Sequence, residues 1–264
     1  IPAPFLGINV PIFRNNRIYG SYSYGFSYPT VEETLLPDGE INNKLKPETG
    51  NNFELGIRVN AFDNNLFIDV CTYLILVDNL LVTERISEDV FTGKNAGSTI
   101  HSGFELTSVT LFNKKEYYHL PSVKFNLGLS ISKNTFKDFI NDSIIYNGNN
   151  LPGVPNFNFS SSFEFNYSSG IYFNIKNQYT GKQYLDDGNT GSYTSYHLVN
   201  LKAGYKKKMK GYQSIAFYVG INNAFDEKYA SMILVNAPSF GAAAPRYYYP
   251  GKPRYYFGGI SLTF

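Results

Sequence analysis

Apolar and polar residues alternate strictly through most of the chain. Over 156–167, Phe157, Phe159, Phe163, Phe165 and Tyr167 fall on one side, while Asn158, Ser160, Ser162, Glu164 and Asn166 fall on the other. A period of two is that of a β-strand with one apolar and one polar face. The same pattern marks 171–179, 123–132, 52–60 and 215–221, and more weakly the stretches near 17–28, 66–78, 100–112, 196–206 and 254–264. The spacing predicts roughly ten strands of about 10–13 residues, near the length needed to cross a bilayer at a tilt.

The connections sort into two classes that take turns. Short ones fall at 63–65, 113–120, 168–170 and 206–212; long ones, rich in Gly, Asn, Asp and Pro, cover about 29–50, 79–99, 137–155, 181–195 and 225–253. An up-and-down barrel with tight periplasmic turns and long extracellular loops produces this alternation, and it puts the C-terminus on the periplasmic side. Greek-key links of a soluble β-sandwich would mix long and short, and sandwich strands run nearer 5–6 residues. No fixed-period repeat supports a solenoid. The fold expected is therefore all-β, an antiparallel up-and-down transmembrane β-barrel. Its Phe, Leu, Ile and Val face meets lipid and its Asn, Ser, Lys, Glu and Gly face lines the lumen.

Composition supports strands: 264 residues hold 23 Tyr and 22 Phe, no Trp and one Cys, within a hydrophobic share of 43%. Aromatic residues suit a pleated surface, and Tyr22, Tyr24, Tyr28, Tyr167, Tyr179, Tyr196, Tyr205 and Tyr256 suit interfacial girdles. The formal charge is +2, with Lys206, Lys207, Lys208 and Lys210 as the only dense cluster. That excludes the broad basic field nucleic acid needs. A single Cys71 excludes an internal disulfide. No run approaches the ~18 apolar residues of a transmembrane helix; the stretch 74–82 is broken by Asp78 and Asn79. The opening Ile1-Pro2-Ala3-Pro4 shows neither Met nor signal peptide, so the natural start is expected upstream. His101, His119 and His197 are dispersed, no phosphate-binding loop is present, and no catalytic constellation, metal site or cofactor is expected. His101 and His197 are expected near the extracellular rim.

The last strand is the sharpest feature. Reading back from the C-terminus, every second residue is Phe264, Leu262, Ile260, Gly258 and Tyr256. A terminal aromatic with this spacing resembles the signal read by the outer-membrane barrel assembly machinery, which assigns that role to Tyr256, Ile260, Leu262 and Phe264.

Five further segments, in order, resemble one family, the TonB-dependent outer-membrane receptors. They are Leu45-Lys46-Pro47-Glu48 with Asn52-Phe53-Glu54-Leu55-Gly56; Asn95-Ala96-Gly97 with Gly103-Phe104-Glu105-Leu106; Asn200 to Tyr205; Gly220 to Tyr229; and Pro250-Gly251-Lys252-Pro253-Arg254 running into Gly258 to Phe264. The stretch from Tyr22 to Glu33, with the Leu-Pro-Asp-Gly loop after it, looks most like the ferric-siderophore and ferric-citrate type. Pro47, Gly56, Gly204, Asn222, Asn223, Asp226 and Pro253 read as scaffold.

The resemblance implies a barrel of about 22 strands around a plug, with 1–264 as its C-terminal portion and the plug and earlier strands not included. Such a portion is expected to form an open arc or a strained closure. It also implies import of an iron chelate, of siderophore or citrate type, or of a similar scarce nutrient. The implied location is the outer membrane of a Gram-negative bacterium. Outer-membrane lipid, the assembly machinery and a TonB complex reached through the plug region are the implied partners. Substrate is expected on Arg85, Lys94, His101, Tyr184, Arg246, Tyr247 and Tyr248, where cations suit an anionic chelate and Tyr offers flat contact with a polar tip. The alternatives are a passive porin-like or adhesive barrel, a ten-stranded outer-membrane protease and a soluble sandwich.

Overall fold

The computed structural model describes residues 1–263 except 14, 37, 88, 89, 113–119, 142, 209–213, 238, 240–244 and 246. The chain runs β1 (Phe5–Pro11), β2 (Arg17–Ser27), the one-turn helix α1 (Val31–Thr34), β3 (Glu48–Ala61), β4 (Leu66–Asp78), β5 (Leu81–Ser87), β6 (Val90–Asn95) and β7 (Gly97–Phe112). It continues through β8 (Ser122–Asn141), β9 (Ile144–Ile145), β10 (Phe157–Asn166), β11 (Ile171–Thr180), β12 (Gln183–Tyr184) and β13 (Ser192–Tyr193). Then come β14 (Tyr196–Lys208), β15 (Ser214–Asn222), β16 (Ala230–Ile233), β17 (Tyr248–Pro250) and β18 (Tyr255–Thr263).

One twelve-stranded antiparallel sheet follows the order β1-β2-β3-β4-β7-β8-β10-β11-β14-β15-β18, with β9 attached to β8. It is a meander with edges at β1 and β18, which do not pair with each other: an open arc. The path holds one strand more than the alternation predicts. β1 pairs with β2 from Phe5↔Ser23 to Pro11↔Arg17. Its flanking prolines and its mixed, apolar-rich faces hide the period of two.

Register sets the two faces. Ile57, Val70, Leu106, Leu129, Phe159 and Tyr179 form one continuous cross-strand row on the outward side. These side chains meet no second layer: Leu55 is 59%, Val219 65% and Ile260 68% exposed. An apolar surface of this extent is unstable in water and suits hydrocarbon. Tyr256, Ile260 and Leu262 lie on that face, opposite Ile221, Phe217 and Ile215 of β15; Phe264 is outside the described residues. Polar residues interrupt the apolar face at several outward positions, Thr72, Ser108 and Ser161 among them. Ser161 occupies an outward position between Leu127 and Asn177 and accepts a 3.2 Å hydrogen bond from the Asn177 amide.

On the inward face, rings lie across glycines. A Cβ at Gly56 would strike the Tyr19 ring, and one at Gly204 the Tyr172 ring. The Tyr19 hydroxyl donates to Asp69 at 2.8 Å, and Arg58 pairs with the same carboxylate at 2.7 Å. The packed core sits beyond the long-loop end of the sheet instead. Ala96, Phe136 and Phe139 are buried there, with Leu80, Val82, Tyr146 and Leu151 against them. The Phe136 and Phe139 rings stack 4.2 Å apart. This explains why β8 runs to Asn141 although a loop is predicted from 137: the strand continues past its neighbours by packing on a core of its own.

Candidate functional site

The long loops carry structure. α1 is closed by a capping box, the Glu33 N–H donating to Thr30 Oγ1 and the Thr30 N–H to Glu33 Oε2. β5 pairs with β6, β12 with β13 and β16 with β17 as separate hairpins on the same end of the sheet.

Two arrangements there can hold a ligand. The first is a cleft of about 570 Å³ between the β2–β3 and β4–β7 loops, lined by Asn42, Lys44, Lys46, Asn79, Lys94 and Asn95 among others. Lys44 and Lys46 bring positive charge to it and no carboxylate lines it among the described residues, so it favours an anion. Asn95 builds its wall. Its Oδ1 accepts from the Lys46 N–H at 2.8 Å, and its Nδ2 donates to the carbonyls of Lys46 at 2.9 Å and Asn79 at 2.8 Å.

The second is a cluster of tyrosines at the other end of the arc. The Tyr193 ring lies 5.3 Å from Tyr248 and 6.4 Å from Tyr196, and Tyr196 lies 5.1 Å from Tyr229. Burial pushes the Tyr193 phenol up, and its oxygen accepts the Ala230 N–H at 2.8 Å. Beneath it, Asp187 and Asn236 clamp two loops. The Asp187 N–H donates to Asn236 Oδ1 at 3.0 Å, and Asn236 Nδ2 returns a bond to Asp187 Oδ2 at 2.9 Å. Burial raises the Asp187 carboxyl above the usual carboxylate range, with Asp186 adding to the shift and the Asn236 bond opposing it. Burial also acts to raise Asp186, but bonds from the Thr190 and Gly191 N–H groups and the Thr190 hydroxyl outweigh it and hold that carboxyl low.

The residues expected to meet substrate do not converge on one point. Lys94 lines the basic cleft. Tyr248 joins the tyrosine cluster, and the Tyr247 carbonyl accepts the Leu234 N–H beside it. The Tyr184 carbonyl accepts from Gly153, and its ring carries the Lys182 ammonium at 4.6 Å. His101 is committed on both ring nitrogens, to Thr99 Oγ1 at 2.9 Å and Asn134 Oδ1 at 2.9 Å, which leaves no lone pair for a metal. His197 pairs with Tyr179 on the outward face, away from the lumen. The backbone of Arg85 pairs with Phe91 in the β5–β6 hairpin; its side chain, like Arg246 and His119, lies outside the described residues. Sequence reasoning missed Lys44, Lys46, Tyr193, Tyr196 and Tyr229 as neighbours of a site. Lys46 stands inside the Leu45-Lys46-Pro47-Glu48 motif, whose resemblance carries no ligand role for it.

Residues 3–224 match the family model described as TonB dependent receptor-like, beta-barrel. The probable TonB-dependent siderophore receptor PiuA of Acinetobacter baumannii is 25% identical over 232 residues, taking in 84% of this chain and 30% of that protein. The ferric citrate transporter FecA, in its unliganded form, matches with a TM-score of 0.73 at 18% identity, over 100% of this chain and 38% of that one. The copper transporter OprC matches with a TM-score of 0.72 at 15% identity, over 98% of this chain and 39% of that one. At such identities the structural likeness shows the fold alone. The chain spans about a third of the length of the relatives it matches. With a meander of alternating short and long ends and a family match over 3–224, the chain belongs to the TonB-dependent receptor β-barrel family.

Proposed function

We propose that this chain is the C-terminal portion, residues 1–264, of an outer-membrane receptor that imports an anionic iron chelate of siderophore or citrate type. Transport is driven through TonB, which engages a plug region outside this chain. The observation that carries the substrate class is the cleft into which the β2–β3 loop brings Lys44 and Lys46, with no carboxylate among its described lining residues. Lysines on extracellular loops raise the local concentration of an anion and speed its capture. The tyrosine cluster around Tyr193 and Tyr248 supplies flat rings with hydroxyl edges for the ligand body. The unpaired edges at β1 and β18 support a larger barrel, since open edges in hydrocarbon leave each backbone group unpaired at several kcal/mol. The outward residues meet outer-membrane lipid, and Tyr256, Ile260, Leu262 and Phe264 serve the assembly machinery.

The test is growth of a deletion strain on a panel of iron chelates, complemented by the full-length gene or by Lys44→Gln/Lys46→Gln/Lys94→Gln. Full-length complementation should restore growth on one class of anionic chelate. The triple variant should reach the membrane normally and lose most uptake at low chelate concentration. Growth unchanged by deletion across the panel would overturn the substrate class. Growth restored equally by the variant would remove the cleft from the route.

A further inference from the structure

The outward face ends, at its extracellular border, in a feature that import does not use. Phe159, Tyr179 and His197 stand side by side across β10, β11 and β14, all on the outward side. With Phe157, Lys182 and Tyr184 they line a cavity of about 600 Å³. The Phe157 and Tyr179 rings form its floor, 5.5 Å apart and tilted by 69°. The Gly181 N–H donates to the Phe157 carbonyl and ties down the edge where the chain turns into the loop. Above the floor, the exposed Lys182 ammonium sits 4.6 Å from the Tyr184 ring centre, which holds it at the rim. Lys133 flanks the other side: it is exposed and lies two residues beyond Ile131, the cross-strand partner of Phe157, on the same face.

We infer that this cavity binds a phosphate-bearing acyl lipid of the surrounding leaflet. The inference rests on the membrane reading above. Ile131 and Leu129 extend the floor sideways onto β8, and below Phe159 the face passes the Ser161–Asn177 pair before it turns apolar again at Phe163. Of the two lysines Lys182 lines the cavity and Lys133 stands outside its lining on the same face, and no Asp or Glu lines it among the described residues. An apolar floor in the hydrocarbon and cations at the headgroup level match an amphiphile with an anionic head and acyl tails. A soluble anion would leave the floor unused, and an apolar partner would leave the cations unpaired. Import substrate is excluded by direction, since these side chains point away from the lumen.

The test uses the full-length receptor, extracted in neutral detergent and titrated with phosphatidylglycerol, phosphatidylcholine or inorganic phosphate, with occupancy read by native mass spectrometry. Phosphatidylglycerol should be retained in preference to phosphatidylcholine, and inorganic phosphate should not displace it. Lys133→Gln/Lys182→Gln should lower phosphatidylglycerol occupancy about 25-fold, each lysine near a headgroup being worth about fivefold. Equal retention of the two lipids, displacement by phosphate, or unchanged occupancy in the variant overturns the inference. Membrane location and chelate uptake are scored in the same cells. Failure of those sinks the functional reading; an intact, active barrel without lipid preference sinks only this one.

Discussion

Lys46 and Asn95 hold each other by two hydrogen bonds, the Lys46 N–H donating to Asn95 Oδ1 and Asn95 Nδ2 donating to the Lys46 carbonyl. They belong to two motifs that look like separate loop-to-strand entries. In the fold, each motif is the other's partner. The backbone of β3's entry is satisfied by a side chain from the end of β6, and the wall of the basic cleft results.

Asn95→Ala removes three hydrogen bonds at once. Polar groups left unpaired where solvent is partly excluded cost about 1–3 kcal/mol. Amide hydrogen exchange over 44–48 and 79–96 should accelerate while the sheet stays protected. Equal exchange in the two proteins would show that the loops are held by something else.

At Gly56, a methyl group would overlap the Tyr19 ring. Gly56→Ala should cost about 1–3 kcal/mol, the usual range for overpacking. Tyr19→Ser in the same chain should recover part of that, although it gives up the bond to Asp69. Urea unfolding of the full-length barrel, followed by gel mobility without boiling, separates the two outcomes.

Ser161 and Asn177 form a hydrogen-bonded polar pair on the largely apolar outward face. Ser161→Ala alone should destabilise by about 1–3 kcal/mol, because the Asn177 amide loses its partner in apolar surroundings. Ser161→Ala/Asn177→Leu should return close to the parent, since no polar group is then stranded. A double variant worse than either single one would mean the pair has a partner beyond this chain.

The Asp186–Asp187 turn should respond to pH in two opposite ways. Asp187 is raised above its ordinary 3.8 by burial, so its contribution to the docked loop grows as pH falls towards that value and is lost as pH rises through its folded pKa. Asp186 is held below 3.8 despite burial, by bonds from Thr190 and Gly191, so its contribution is present above 3.8 and lost as pH falls through its folded pKa. Loop protection over 182–194, corrected for intrinsic exchange, should rise from neutral to mildly acidic pH and drop only below the ordinary carboxylate range. Asp187→Asn should abolish the first limb and keep the second.

Tyr193→Phe strips the acceptor from the Ala230 N–H and should loosen β16 by about 1–3 kcal/mol, leaving the ring contacts with Tyr196 and Tyr248 in place. Exchange at Ala230 reads this directly.

The meander was legible in the sequence because its cause is local. A strand with lipid on one side and a lumen on the other must alternate, so 156–167 declares β10 without reference to any neighbour. β1 was not legible, because in Phe5–Pro11 only Asn9 is polar and its identity as a strand comes from β2. The end of β8 was hidden for the same kind of reason. Phe136 and Phe139 continue the strand only because Ala96, Leu80 and Leu151 arrive from other loops to bury them.

Taken alone, then, the sequence determined the period and the parity of short and long ends, and with them which residues share a face and which end of the sheet carries the long loops. Those are properties of neighbours along the chain. Only the tertiary structure decided that Lys46 meets Asn95, that Lys44 and Lys94 share a cleft, that Tyr248 packs on Tyr193, and that His101 is spent on Thr99 and Asn134 while His197 stands beside Tyr179 on the outward face. Each of these joins residues on different strands or loops, and the register that brings them together is a sum over the whole sheet that no single segment carries.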